Sequence, residues 1–500
     1  MSRVLTRRSA LGSLGAFFTS GFSPELLALG LPPDGFAADA PELAPLRGLD
    51  GQGLDGAAVI EGRLPAALRG RYFRNGPGLM QRAGQRYRHW FDGDGLVQSW
   101  TLQDGRVSHQ ARFVQTTKFR AEQAAGRFLL PTFGTAIPAE RPVRGPDSVN
   151  VANTSVLRQG DALYALWEGG SAYELDPATL ATRGVKTWSP ELQGMPFSAH
   201  PKVEVDGTVW NFGTANGRLA VYQLDAAGSV RRHALLDVRA PAMLHDFAVS
   251  QRHLVFLLAP ITLDTAAVRA GAPMLDAMRW AAEQPTRVLV VDKADFTRQR
   301  IFEMPATQVF HIGNAWDDGR LLRLDYVQST PLPEFNAAAR QIMRGERTTR
   351  DVSTPRVLEI ALQTGVLHVA SRDEAVEFPV VDPRVVAQRH RFVWYATAVD
   401  TGARWGFNGL MRLDIDSGAR ERFSFGNGVV VEEHVLVPRP GSTLEGDGWL
   451  VGMGYDILRR RSFLSVFDAL RLADGPLARA WLPYAVPYGF HGRFDATDTA

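Results

Sequence analysis

From Leu64 onward, apolar and polar residues alternate in short runs separated by tight-turn dipeptides. Leu96-Val-Gln-Ser-Trp-Thr-Leu102 leads through Asp104-Gly105 into Val107-Ser-His-Gln-Ala-Arg-Phe113. Comparable hairpins are marked by Asp206-Gly207, Ala227-Gly228, Asp318-Gly319, Thr364-Gly365 and Ser417-Gly418. A period of two sends successive side chains to opposite faces of a strand, and the glycine of each pair supplies the positive φ that a two-residue turn demands. Such runs, recurring about every 8–12 residues, predict an all-β fold: sandwich, barrel or propeller.

One stretch breaks the alternation. Thr262 to Glu283 is rich in helix formers, with Met274, Leu275, Met278 and Trp280 at near-helical spacing, which predicts a helix. It would either pack on the sheets or act as a hydrophobic lip in peripheral contact with a membrane surface. Glu334 to Arg347 is a second excursion of this kind.

Four of the 11 histidines stand in apolar or small-residue runs: Phe197-Ser-Ala-His200, Met243-Leu-His245, Phe310-His311-Ile-Gly and Phe490-His491-Gly. A histidine in such a run must find a partner or lose the free energy of its hydration. Intervals of 45, 66 and 180 residues are too long for one helix or one local metal loop. If the four meet, the fold must be closed around an axis, and a propeller aims the inner strand of every blade at one. The other seven histidines (His89, His109, His233, His253, His368, His390 and His434) lie among charged or polar neighbours and read as surface or hydrogen-bonded interior residues. Three glutamates have equally distinctive settings: Glu168 in Leu166-Trp-Glu-Gly-Gly170, Glu377 in Val376-Glu-Phe-Pro379, and Glu433, with Glu432 as its adjacent rival, in Glu432-Glu-His-Val-Leu-Val-Pro438.

Composition narrows the chemistry. The 500 residues include no cysteine, which excludes disulfides, thiolate catalysis and Cys-ligated metals, so a metal site must be built from His, Asp and Glu. The 55 basic and 53 acidic residues nearly cancel, which leaves no nucleic-acid footprint. No linker or low-complexity tract divides the chain after its first 40 or so residues, so 41–500 reads as one domain, and 45% hydrophobic residues supply a large core. Residues 1–40 read as an export signal: Thr6-Arg-Arg-Ser-Ala-Leu-Gly12 carries paired arginines, a short apolar run follows, and Ala38-Asp-Ala40 offers a cleavage site. The expectation is a twin-arginine route to the periplasm, the plain alternative a basic tail.

At this point the sequence resembles the carotenoid cleavage oxygenase family from about Leu64 to Phe494. The matching motifs include Tyr72-Phe-Arg-Asn-Gly-Pro77, His89-Trp-Phe-Asp-Gly-Asp-Gly95, Ala152-Asn-Thr-Ser155, Trp167-Glu-Gly-Gly170 and all four histidine contexts. It looks most like the bacterial apocarotenoid oxygenases and is related to the lignostilbene dioxygenases. The resemblance implies a seven-bladed β-propeller under a small dome of loops and helices. It implies one non-haem Fe(II) per chain held by His200, His245, His311 and His491, with Glu168, Glu377 and Glu433 behind them and Thr154 near the open iron position.

Imidazoles suit divalent iron, and carboxylates behind them supply the charge they lack. Trp167, Phe197, Phe310, Trp316 and Phe490 flank these positions as candidate pocket walls, and Lys118 stands where stilbene cleavers hold a phenol. The implied reaction joins O2 to an alkene of a lipophilic apocarotenoid and releases two carbonyl products. Stilbene or phenylpropenoid cleavage is the second reading, and a propeller that binds carotenoids without cleaving them the third. Oligomeric state is not legible in the sequence.

Overall fold

The computed structural model describes residues 40–346, 353–399 and 406–496; the expected export signal therefore lies outside the described residues. The alternating runs form seven antiparallel sheets arranged as blades around one axis. Blades 2 to 6 are successive four-stranded meanders whose first strands lie innermost: Ser155–Gln159, Lys202–Val203, Ala248–Val249, Gln308–Asp317 and Val376–Val380. Inner strands of neighbouring blades touch one another around the axis, as in the succession from Gln308–Asp317 through Val376–Val380 to Val429–Pro438 and on to Gly492–Ala496.

Two exchanges of chain close the ring. In blade 1 the C-terminal strand Gly492–Ala496 takes the inner edge of Gly70–Leu79, with Arg74 opposite Gly492. In blade 7 the N-terminal strand Val59–Gly62 covers the outer edge of Ala478–Trp481. Each exchange gives a strand edge a partner that it would otherwise lack.

The hairpin glycines act as expected: at Asp104-Gly105 both residues have positive φ, 50° and 71°, as a type I′ turn requires. Each seam between blades holds its own apolar cluster. Leu254, Phe256 and Leu289 of blade 4 meet Phe212, Leu219 and Val221 of blade 3, and Val376, Val393 and Met411 of blade 6 meet Val327 of blade 5. Burying one such side chain is worth about 1.5–3 kcal/mol, so the seams together hold the ring shut.

The dome departs from the expectation for Thr262–Glu283. This stretch is not one helix: Ile261–Leu263 and Met278–Trp280 pair as a hairpin that encloses two short helices, Thr265–Arg269 and Met274–Ala277. Gly271, at φ 94°, and Pro273 interrupt the helical run between them, because neither residue continues a helix well. Leu275 and Met278 turn inward against Met243, Phe310 and Leu332, and only Met274 of the apolar set remains exposed. Little of the apolar surface expected of a membrane lip is therefore on the outside. The second excursion does form a helix, Leu332–Met343, and no described helix is long and apolar enough to cross a membrane.

Candidate metal centre

Every blade contributes one residue to the axis. His200 stands two residues before the inner strand of blade 3, His245 three residues before that of blade 4 and His491 directly before that of blade 1, while His311 lies within the inner strand of blade 5. Glu168 comes from a turn of blade 2, Glu377 and Glu433 from the inner strands of blades 6 and 7. One ligand atom from each of the four histidines lies within 4.8 Å of all the others.

Three glutamates orient three of the rings. Glu168 lies 2.5 Å from Nδ1 of His245, Glu377 2.6 Å from Nδ1 of His311, and Glu433 2.9 Å from Nδ1 of His491. Each imidazole donates its Nδ1–H to a carboxylate, which leaves the Nε2 lone pair aimed at the axis. Nε2 of His200 then faces Nε2 of His245 at 2.9 Å, and Nε2 of His311 faces Nε2 of His491 at 3.2 Å.

For His311 and His491 this is a contact between two acceptors, which only a cation between them relieves. A proton is disfavoured at His200, where burial and then the neighbouring imidazoles hold the ring well below the usual histidine range, whereas at His311 burial is outweighed by the pull of Glu377, which raises the ring. Burial lowers His491 as it does His200, against the pull of Glu433. A divalent metal fits. With metal–nitrogen bonds of about 2.1 Å, neighbouring donors of an octahedron lie about 3.0 Å apart, those of a tetrahedron about 3.4 Å. The shorter spacing, 2.9 Å, is near the octahedral value and the longer, 3.2 Å, lies midway between the two, so the four nitrogens would hold one divalent ion in either arrangement.

Bulges aim the side chains on three inner strands. The register slips between Val309 and Ile312, between Glu377 and Val380, and between Val431 and His434. A regular strand would send neighbours to opposite faces; a bulge turns both toward one region. Phe310 and His311 thus both line the cavity. Phe378, at a φ of 55° that a bulky residue adopts only under constraint, brings its ring to 5.5 Å from that of His311 and 5.7 Å from that of His491. Glu433 goes to His491, while Glu432 takes the amide of Gly489 and the guanidinium of Arg74.

The histidines open into a cavity of about 1100 Å³, whose walls include Trp90, Phe91, Phe133, Met243, Phe335 and Phe378. Thr154, Trp167, Phe310 and Phe490 line it as well. Three expected wall residues do not. Phe197 is core, its ring 4.5 Å from that of Trp188 and 6.0 Å from that of Tyr222. Trp316 stands five residues beyond His311, roughly 17 Å further along an extended strand, and pairs with Arg323.

Lys118 is neither on a strand nor in the cavity. It belongs to the helix Thr117–Ala125 and is fully buried, donating to Tyr87 at 2.6 Å, Glu122 at 2.8 Å and Asp94 at 3.2 Å. Phe91, Phe133, Phe335 and Phe378 were missed as walls. Of these only Phe378, beside a singled-out glutamate, and Phe91, inside a matched motif, carried a signal in the sequence.

Residues 51–496 match the family model described as retinal pigment epithelial membrane protein. Curated relatives include apocarotenoid-15,15′-oxygenase of Synechocystis sp., 30% identical over 88% of this chain and 92% of the relative. Isoeugenol monooxygenase of Pseudomonas putida is 30% identical over 87% and 93%, and lignostilbene-α,β-dioxygenase isozyme III of Sphingomonas paucimobilis 28% over 90% and 95%. Among solved structures, cobalt-substituted Synechocystis apocarotenoid oxygenase superposes with a TM-score of 0.80 at 27% identity, covering 91% of this chain and 99% of that one.

Proposed function

The chain belongs to the carotenoid cleavage oxygenase family, whose members are oxygenases that cleave double bonds, and we propose that it cleaves a linear apocarotenoid with O2. The observation that carries the substrate choice is the cavity. At about 1100 Å³ it lies at the upper end of small-molecule sites, roughly 300–1,000 Å³, and its walls near the histidines are aromatic and apolar. A polyene gains its binding from such walls, at roughly 25 cal/mol per Å² buried. A phenol would need a polar partner; Lys118 is closed away in its own ion pairs, which leaves that part to polar lining groups such as the Tyr488 hydroxyl.

His200, His245, His311 and His491 would hold one Fe(II), which when bound supplies the activation of O2 beside the alkene. The chain's own residues do the rest. Glu168, Glu377 and Glu433 fix the imidazole tautomers and balance the charge of a divalent ion. Phe310, Phe378, Phe490 and Trp167 bind the chain of the substrate and exclude water. Both oxygen atoms of O2 end on the two carbons of the cleaved bond, so two carbonyl products form with no external reductant and no general acid or base.

The equal identity to isoeugenol monooxygenase keeps phenylpropenoid or stilbene cleavage as a second reading. Aerobic incubation with apocarotenals, isoeugenol and stilbenes, read for O2 uptake and aldehyde products, decides between them. The polyenes should be cleaved with one O2 consumed per bond. Efficient cleavage of the phenols with polyenes untouched installs the second reading, and binding of polyenes without O2 uptake marks a carrier.

A further inference from the structure

We propose that the buried pair Arg74–Glu432 is the positioning device that fixes His491 at the metal, acting through the backbone of Gly489, Phe490 and His491. The inference rests on the four histidines holding a divalent metal, and it extends that reading to residues which touch neither metal nor substrate.

The pair is buried: Nε of Arg74 lies 2.7 Å from Oε2 of Glu432, with side-chain exposures of 0% and 8%. Both residues also grip the segment before His491. Glu432 accepts the N–H of Gly489 through Oε1 at 3.1 Å, and Nη2 of Arg74 donates to the carbonyl of Phe490 at 3.2 Å. The fit between them is close, since a Cβ on Gly489 would stand 2.4 Å from Nε of Arg74. The backbone of Asn75, next to Arg74, completes the hold by accepting from Phe490 N and donating to His491 O. His491 is thus tied on one side by Glu433 and on the other by a segment that Arg74 and Glu432 clamp.

Stability alone does not call for such a pair. Removing two charges from water costs about as much as their attraction returns, and apolar replacements of a buried pair are often neutral. What two apolar side chains cannot do is hold one N–H and one carbonyl at set distances. Glu432 also faces the cavity, where Arg74 keeps its charge balanced.

The test is the paired variant Arg74→Met with Glu432→Gln, which leaves no lone charge and keeps an acceptor for Gly489. Cobalt(II) is titrated into metal-free protein and followed by its visible absorption, beside thermal unfolding. The pair variant should fold with a nearly unchanged midpoint, bind cobalt ~10–100-fold more weakly, and show a shifted absorption band. Arg74→Lys keeps the charge but loses the bond to Phe490. It should lie between, and it serves as the deciding variant if the double replacement fails to fold. Cobalt affinity and spectrum equal to those of the unmodified chain overturn the clamp and leave the metal reading intact. An unmodified chain that takes up no cobalt overturns both.

Discussion

Nε2 of His311 and Nε2 of His491 lie 3.2 Å apart although 180 residues separate them in the chain, and the Nδ1–H of each is committed to a glutamate. Two lone pairs held face to face are tolerable only with a cation between them. That relationship ties the closure of the ring to the chemistry, because His491 reaches its place only when Gly492–Ala496 pairs with Gly70–Leu79.

Purified protein is therefore expected to hold about one iron per chain. His200→Ala, His245→Ala, His311→Ala and His491→Ala should each lose metal and activity, measured by elemental analysis and O2 uptake. Full metal content in any of the four removes that histidine from the site.

Behind the ligands, burial would raise the Glu377 carboxyl, but the adjacent His311 outweighs it and holds the group below the usual carboxylate range. Glu377→Gln keeps the shape and removes the charge. Metal affinity or rate should fall ~10–100-fold, while the circular dichroism of the sheets stays the same.

Lys118 tests the substrate assignment and the core together. Lys118→Met removes the ammonium from Asp94 and Glu122 and leaves them only Arg82 as a cation; breaking a buried pair outright costs about 3–5 kcal/mol, and the remaining guanidinium lowers that cost. The variant should unfold at distinctly lower denaturant concentration. Apocarotenal cleavage per folded molecule should change by less than about threefold, under ~0.7 kcal/mol on the transition-state scale. Efficient stilbene cleavage that collapses in this variant would install the phenolic reading.

Acid should destabilise the fold through buried neutral histidines. His109, between Tyr484 and Gln98, is brought down by burial to a pKa of about 3. The unfolded chain takes up a proton below about pH 6.5, whereas the native state takes it up only near the depressed value. This contribution is thus fully present above the unfolded pKa and is lost as pH falls from there toward the native one. Between pH 7 and pH 5 it amounts to about 2 kcal/mol. Urea midpoints of His109→Gln should fall less over that interval than those of the unmodified chain; an equal fall removes His109 as a cause.

Export remains a proposal about residues 1–40. A fusion of residues 1–45 to a reporter should cross the inner membrane, and Arg7→Lys with Arg8→Lys together should stop it. Unchanged export of the double variant leaves the twin-arginine reading without support.

Period-two alternation and the hairpin dipeptides determined the all-β class by themselves, because pleat and turn chemistry are local. The four histidines could be singled out for a related reason: an imidazole among apolar neighbours is conspicuous within a few residues of chain. Local pattern says nothing about which face a bulge presents, and this is where the tertiary structure decided. Slips in register at Phe310–His311, Glu377–Phe378 and Glu432–Glu433 set which of two neighbours reaches a histidine. They gave Glu433 to His491 and left Glu432 for Arg74. Lys118 shows the same limit from the other side. In the sequence it stood where stilbene cleavers hold a phenol, but only the packing of the helix Thr117–Ala125 against Tyr87 and Asp94 determined that it faces carboxylates in the core. A side chain's partners come from contacts tens of residues away in the chain, and only the closed ring brings those contacts together.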